Sequence, residues 1–371
     1  MAARGLDGRG HKARYVALAL AAVLSLGAAQ LVYALQNDEF EVLPVQGNIY
    51  MLVGGGANIA VSLGRDGILL VDSGTLPMAD KVLAKVQELA KAVVAYPAPF
   101  TPCVGLHCGE FRYSYGWSSP AFNAITQSPA PPKPVRYIVN TSIHPDHTGG
   151  NEKIAEAGVT YIGGNVTGTI ADAGSGAAII AHENVLARMS NPEEGEPATP
   201  DRALPTETYF ASSFKLSHFF NGEGVQLFHA PAAHSDGDSI VWFRFSDVIS
   251  AGEIFSNESY PIIDVKKGGT VQGIIDGLNQ ILDIAYAEFR SQGGTMIIPA
   301  RGRIGDVADV AIYRNMISII RDRIRDLKRK GMTLEQVKAA RPTLDFDGRW
   351  GSNTGAWTTD KFIEAVYRTL P

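Results

Sequence analysis

Three residues of this 371-residue chain that could do chemistry stand within one tetrapeptide: His144, Asp146 and His147, in the segment Asn140–Asn151. Two imidazoles and a carboxylate crowded into one turn suit a borderline cation such as zinc, which takes nitrogen and oxygen donors. The turn follows the apolar run Val135 to Asn140, so the donors stand at the end of a buried strand, where they can be held rigidly around an open coordination position. Spacing alone allows a second reading, a polar turn in which Asp146 caps a helix beginning near Gly149.

Three further segments repeat the layout. His234, in Ala233–Asp238, follows the run Val225 to Ala230; Glu253 follows Val248 to Ala251; Arg301 follows Met296 to Ile298. Polar residues behind four apolar runs predict a site gathered at one edge of a β-sandwich. Periodicity supplies the scaffold. Ile68 to Val71 reads as a buried strand ending at Asp72-Ser73-Gly74. Met78 to Val93, Gln272 to Gln292 and Val307 to Lys330 have helical spacing. Asn151 to Ala157, Thr333 to Ala340 and Thr359 to Leu370 read as shorter helices. Thr160 to Gly163, Ala178 to Ala181, Phe214 to Phe220 and Ile240 to Phe245 read as strands. Strands and helices thus come in two successive β-then-α runs. That predicts two mixed β-sheets packed face to face, with helices on both outer faces, rather than a doubly wound parallel sheet.

Composition narrows the function classes. Net charge is −5 with both signs mixed along the chain, and no basic stripe interleaves with aromatics, so no nucleic-acid partner is expected. A small-molecule substrate is. At the amino terminus Arg4, Arg9, Lys12 and Arg14 precede an uncharged run from Tyr15 to Ala34. This reads as a signal peptide, residues 1–34, cleaved after Ala34, or as an uncleaved membrane anchor; either places the body of the chain, 35–371, in the periplasm or outside the cell. Cys103 and Cys108 lie in a Pro- and aromatic-rich insertion, 95–134, and predict a small disulfide-closed loop; a Cys-His-Cys patch with His107 is the weaker alternative, since it lacks a fourth ligand. Helices are expected to close the chain over 306–371.

Taken together, these blocks resemble the metallo-β-lactamase superfamily, where a His-x-His-x-Asp-His motif, a downstream His, a bridging Asp and a final His hold one or two zinc ions. The likeness runs from about Phe40 onward, and Val71-Asp72-Ser73-Gly74 resembles the family's early Asp motif. Within the family, the chain is most similar to an exported branch carrying an Ala-His-x-Asp-Gly-Asp block (here Ala233–Asp238) and a Trp-Thr-Thr-Asp segment (Trp357–Asp360). The resemblance implies an αββα sandwich and hydrolysis of an ester, amide, lactone or similar small substrate by an activated water.

Three ligand positions depart from that pattern. Ser142 stands for the first His, Glu253 for the bridging Asp and Arg301 for the last His. A hydroxyl is a poor zinc donor beside imidazole. Glu253 keeps the charge on a longer arm. Arg301 cannot ligate, because guanidinium has no lone pair to give. A bidentate pair with Asp146 or Glu253 would let it replace a second cation. The resulting expectation is one zinc on His144, His234 and Glu253, with Asp146 holding the attacking water, His147 orienting it or binding an anionic group, and Arg301 stabilising negative charge on the substrate. Asp146 and His147 are the remaining metal candidates. The same losses support a rival expectation, a metal-poor, non-catalytic binding protein on this fold.

Overall fold

The computed structural model describes residues 40–64, 66–95, 134–160, 176–193, 195–285 and 294–371. Residues 42–371 form one compact unit. The 1–34 leader, nearly all of the 95–134 insertion and both cysteines lie outside the described residues. No helix among the described residues is long and apolar enough to cross a membrane.

Among the described residues, twelve strands make two sheets. The first runs β1 (Glu41–Gln46), β2 (Ile49–Val53), β3 (Ile59–Gly64), β4 (Gly67–Val71), β5 (Val135–Val139), β6 (Ala178–His182) and β7 (Glu207–Tyr209), in sequence order. The pairs β2–β3 and β3–β4 are antiparallel, and β4 to β7 are parallel. The second holds β8 (Ser213–Lys215), β9 (Val225–His229), β10 (Ser239–Phe243), β11 (Val248–Ser250) and β12 (Met296–Ile298), antiparallel except for β11–β12. The helices are α1 (Ala79–Ala95), α2 (Pro145–Thr148), α3 (Asn151–Glu156), α4 (Glu183–Ser190), α5 (Val271–Ile284), α6 (Val307–Arg329), α7 (Leu334–Ala339), α8 (Asp347–Trp350) and α9 (Thr359–Thr369).

Alternation along the strands explains the layers, because successive side chains leave a strand on opposite faces. Leu69 and Val71 of β4, Val139 of β5 and Ile180 of β6 meet Leu227, Val241, Phe243, Val248 and Ile298 of the second sheet in the inter-sheet core. Their sequence neighbours Ile240, Ile249 and Ile297 turn outward, against Ile274, Leu278 and Ile281 of α5, Val310, Tyr313 and Ile317 of α6, and Phe362 and Val366 of α9. On the other side α1 packs on β3, and α3 on β5. Strands covered on both faces must be apolar throughout, which is why β4 is fully buried. The αββα sandwich expected from the sequence is the observed architecture.

The differences are local. Phe214 to Phe220 pairs as a strand only over Ser213–Lys215, and Phe220 then closes a two-residue bridge with Glu223. Strand β7 and helix α4 go beyond the sequence expectation. β7 is a three-residue edge, too short for period-2 reading. Helix α4 starts immediately at the end of β6, with His182 as its N-cap, so one apolar stretch carries both elements. Residues 161–163 and 286–292 of the expected strand and helix lie outside the described residues.

The cap residue His182 is buried beneath Tyr209 and stacks on His229 with ring centroids 3.6 Å apart. Burial first, then the neighbouring His229, pulls its pKa from 6.5 down to about 4. Because the folded state resists protonation while the unfolded chain accepts it, stability is lost as pH falls from 6.5 toward 4. His182→Asn keeps a good cap and removes the titration. The variant's unfolding midpoint should therefore fall less steeply than the wild type's across that interval in thermal melts, and parallel slopes would refute the assignment.

Candidate metal-type site at the strand ends

Every candidate residue sits on a loop leaving the carboxyl end of a buried strand. Asp72 leaves β4 with φ 68°, a left-handed turn that Asp tolerates better than most residues. That turn folds its carboxylate back toward β5. There Asp72 Oδ1 accepts from Thr141 N at 2.8 Å, and Oδ2 from Thr141 Oγ1 at 2.7 Å. Oδ2 also accepts from His147 Nδ1 at 2.8 Å. The turn bearing His144, Asp146 and His147 contains the short helix α2, with Pro145 in its first turn. It lies flat on residues 73–76 because Gly149 and Gly150 follow it: a Cβ at Gly150 would come 2.2 Å from Ser73 O, and one at Gly149 2.4 Å from Leu76 N. The buried amides of Asn140 and Asn151 pair reciprocally at 2.9 and 3.0 Å. Ser73 Oγ donates to Asn151 Oδ1 at 2.8 Å and Asn140 Nδ2 to His147 O at 3.3 Å, fixing the backbone under the imidazole.

His147 is fully buried between two carboxylates. Its Nε2 lies 2.9 Å from Glu253 Oε1, opposite the Asp72 contact. Burial alone would lower its pKa. The charge and hydrogen bond of Asp72, joined by those of Glu253, outweigh that and hold it well above the ordinary histidine value. Glu253 is held well below the usual carboxylate range: burial raises it, and His147, His234 and Arg301 together outweigh burial. Glu253 follows Gly252, whose φ of 52° and lack of a Cβ let the chain pass Thr141.

Arg301 closes the cluster. Its Nη1 donates to Glu253 Oε1 at 3.0 Å, and its Nη2 is paired with Asp146 Oδ2. Asp146 Oδ1 faces His147 Nε2 at 4.0 Å. Asp146, His147 and Glu253 offer ligand atoms within 4.8 Å of one another, and among the described residues they are the group of three that does so. A cation could be held there by distance alone. The guanidinium already pairs with both carboxylates, however, and both ring nitrogens of His147 donate to acids. A metal at this position would have to displace Arg301 and strip the proton from His147 Nε2.

His144 and His234 form the second half of the site, with ring centroids 4.3 Å apart. His234 Nδ1 lies 2.8 Å from Ile262 O, and since a carbonyl only accepts, Nδ1 carries the proton and Nε2 the lone pair. That Nε2 is buried without a partner, as are His144 Nε2 and Ser142 Oγ. A buried lone pair with nothing to accept from costs free energy, and a backbone carbonyl on the far nitrogen is the usual orientation device of a metal-binding imidazole. The His234 loop is shaped by Asp238, which accepts from Ser235 N at 2.6 Å and Ser235 Oγ at 2.9 Å. Helix α5 presses on it, because a Cβ at Gly273 would sit 1.8 Å from Ala232 O. Asp264 Oδ2 stands 3.5 Å from His144 Nε2.

The expected ligands therefore divide. His144 and His234 pair with each other, while Glu253 faces His147 and Arg301. Arg301 meets both carboxylates that the sequence reasoning offered as alternatives. Sequence reasoning missed Thr141, Asn140 and Asn151, which hold the turn; the run Asn-Thr-Ser belongs to the motif by position and to its support by structure.

An αββα sandwich with imidazoles and carboxylates collected at the strand ends is the architecture of the metallo-β-lactamase fold. The sequence matches the family model of the metallo-beta-lactamase superfamily over residues 42–300, and the chain belongs to that superfamily, whose members typically bind metal ions and include hydrolases. Among solved structures it resembles the stereoselective inverting sec-alkylsulfatase Pisa1 from Pseudomonas sp., with TM-score 0.56 and 14% identity over 89% of this chain. A double mutant of the same sulfatase gives TM-score 0.59, 15% identity and the same coverage. The chain spans about half (50%) of the length of the sulfatase chains. A metallo-beta-lactamase from Pontibacter korlensis is more distant, at TM-score 0.46, 12% identity, 75% of this chain and 99% of that one. Comparison with curated proteins by sequence finds no match.

Proposed function

We propose that this chain is an exported hydrolase working with one divalent cation, zinc by its donor set, held by His144 and His234, and with Arg301 in place of a second. The observation that carries the reading is the buried, partnerless Nε2 of His234 beside that of His144, whose nearest acid, Asp264 Oδ2, stands 3.5 Å away, next to a ligand cluster that already holds its own cation. When bound, the ion supplies Lewis-acid polarisation of an ester, amide, lactone or similar group. The chain's own residues do the rest. Arg301, about a third exposed (32% of its side chain), presents a fixed positive charge to an oxyanion at the mouth of the site. Asp146, partly open at 19%, can accept a proton from water on its Oδ1 side while Arg301 holds Oδ2. His147, with both nitrogens committed to acids, serves as an internal counter-charge in this reading instead of orienting the water. The basic leader supports an extracytoplasmic setting.

Charge balance supports the single ion. Asp72, Asp146 and Glu253 are paired with His147 and Arg301, and Asp264 lies beside His144, so carboxylates outnumber the cations paired with them and a divalent ion would meet negative charge. Protein purified without chelators should carry about one equivalent of zinc by elemental analysis. The variant His144→Ala/His234→Ala should carry almost none and lose hydrolysis of a broad ester and lactone panel by at least about a hundredfold. Equal zinc in both proteins would refute the site. The paired guanidinium also favours a second reading, a metal-free binding protein. Failure of the wild type to take up added zinc would decide for it.

A further inference from the structure

We infer that Asp264 is the third protein ligand of the His144–His234 cation, standing in for the imidazole that Ser142 fails to supply. The inference rests on the single-cation reading above and adds to it a residue outside the motif.

Two imidazoles alone make a weak site, and zinc in catalytic sites ordinarily takes three protein ligands. The structure brings one further donor to His144. Asp264 Oδ2 lies 3.5 Å from His144 Nε2, too far for a strong hydrogen bond and close enough for both to turn onto one ion. The other oxygen is anchored: Asp264 Oδ1 accepts from Lys266 N and Lys267 N, both at 3.1 Å. A carboxylate pinned through Oδ1 has Oδ2 left to give.

The backbone makes Asp264 part of the same device as His234. Asp264 N donates to His234 O at 2.9 Å, and Thr270 N donates to Ala232 O and Ala233 O at 2.9 and 3.1 Å. Ile262 O, two residues before Asp264, fixes the His234 tautomer at 2.8 Å. Gly269 allows the approach, since a Cβ there would lie 2.1 Å from His234 O. The loop 262–270 thus orients one imidazole and presents the carboxylate, and any movement of one moves the other. By the resemblance of the motif, Ser142 holds the position of a third imidazole, and its Oγ is buried without a partner. As a set, His144, His234 and Asp264 are not drawn within 4.8 Å of one another, and the energy of binding must close that gap.

Titration of metal-free protein with Co2+, followed by visible absorption, and with Zn2+, followed by calorimetry, tests this. Wild type should take one equivalent. Asp264→Asn should bind each ion at least about a hundredfold more weakly, while Asp276→Asn, exposed on α5, stays close to wild type. Adding Ser142→His to Asp264→Asn should restore binding. An Asp264→Asn chain with wild-type affinity and cobalt spectrum overturns the role of Asp264 and leaves the His144–His234 site standing. A wild type that takes neither ion overturns the proposed function itself. Melts without metal check folding. Should Asp264→Asn fail to fold, Asp264→Glu, which moves the oxygen out by one methylene, must shift the cobalt band, and an unshifted band counts against the inference.

Discussion

The double substitution Ser142→His with Arg301→His is expected to raise the metal content of this protein from one equivalent to two. Each change answers one half of the site. Ser142 is fully buried beside the His144 turn, its hydroxyl unpaired, so an imidazole there completes three nitrogens around the first cation. Overpacking by the larger ring costs about 1–3 kcal/mol, which a bound zinc offsets through its preference for the folded state. Arg301→His withdraws the guanidinium from Asp146 and Glu253 and supplies a donor that has a lone pair. Asp146, His147 and Glu253 already stand within 4.8 Å of one another, so with the guanidinium gone the remaining demand on an ion is to displace the proton on His147 Nε2. Without metal, this variant should melt below wild type, because two carboxylates then face each other with one cation fewer. Added zinc should reverse the loss. Calorimetry that still counts a single ion, with no zinc-dependent gain in melting temperature, would mean that Arg301 is not what keeps the second ion out.

The second large effect belongs to His147. His147→Ala should destabilise the fold by about 3–5 kcal/mol, the usual cost of removing one partner from a buried ionic group. In a chain of this size that lowers the melting temperature by about 4–7 °C. Asp72 and Glu253 lie on opposite sides of the ring at 2.8 and 2.9 Å and would confront each other across a cavity. The pH dependence gives an independent check. His147 has a folded pKa above its ordinary 6.5, so its contribution is complete below 6.5 and is lost as pH rises through the folded value. Glu253 has a folded pKa below its ordinary 4.5, so its contribution is complete above 4.5 and is lost as pH falls through the folded value. Between these limits the His147–Glu253 pair should add no slope of its own, so the only decline there is the one set by His182, and the alanine variant should lack the further decline on the alkaline side. An alanine variant within about 1 kcal/mol of wild type, measured by urea unfolding at neutral pH, would show that the triad is not an ionic core.

The architecture was legible because its cause is local. Ile68 to Val71 and Ile240 to Phe243 must be apolar on both faces to lie between a facing sheet and a covering helix, and that leaves a pattern a linear reading can find. The site was legible in its membership, since His144, Asp146, His234, Glu253 and Arg301 each follow an apolar run. How they pair was not. Whether Glu253 faces His234 or His147 depends on Gly252 passing Thr141 with φ 52°, a fact of close approach between β5 and β11. Arg301 reached both acids because the parallel register of β11 with β12 sets residue 301 beside residue 256, a long-range match that spacing does not encode. Asp264 stayed outside the candidate ligands for the same reason: its nearness to His144 is made by backbone bonds between the loops 232–234 and 262–270.

A guanidinium tethered by its own peptide chain cannot be chelated, diluted or outcompeted. With Arg301 bridging Asp146 and Glu253 from within, and His147 between Asp72 and Glu253, most of the negative charge at that spot is met by the chain itself as soon as β12 pairs with β11. If the chain takes the single ion proposed above, folding and loading become separate events: the scaffold can mature wherever trace metals are scarce, and strong chelators should strip the ion while leaving the architecture intact.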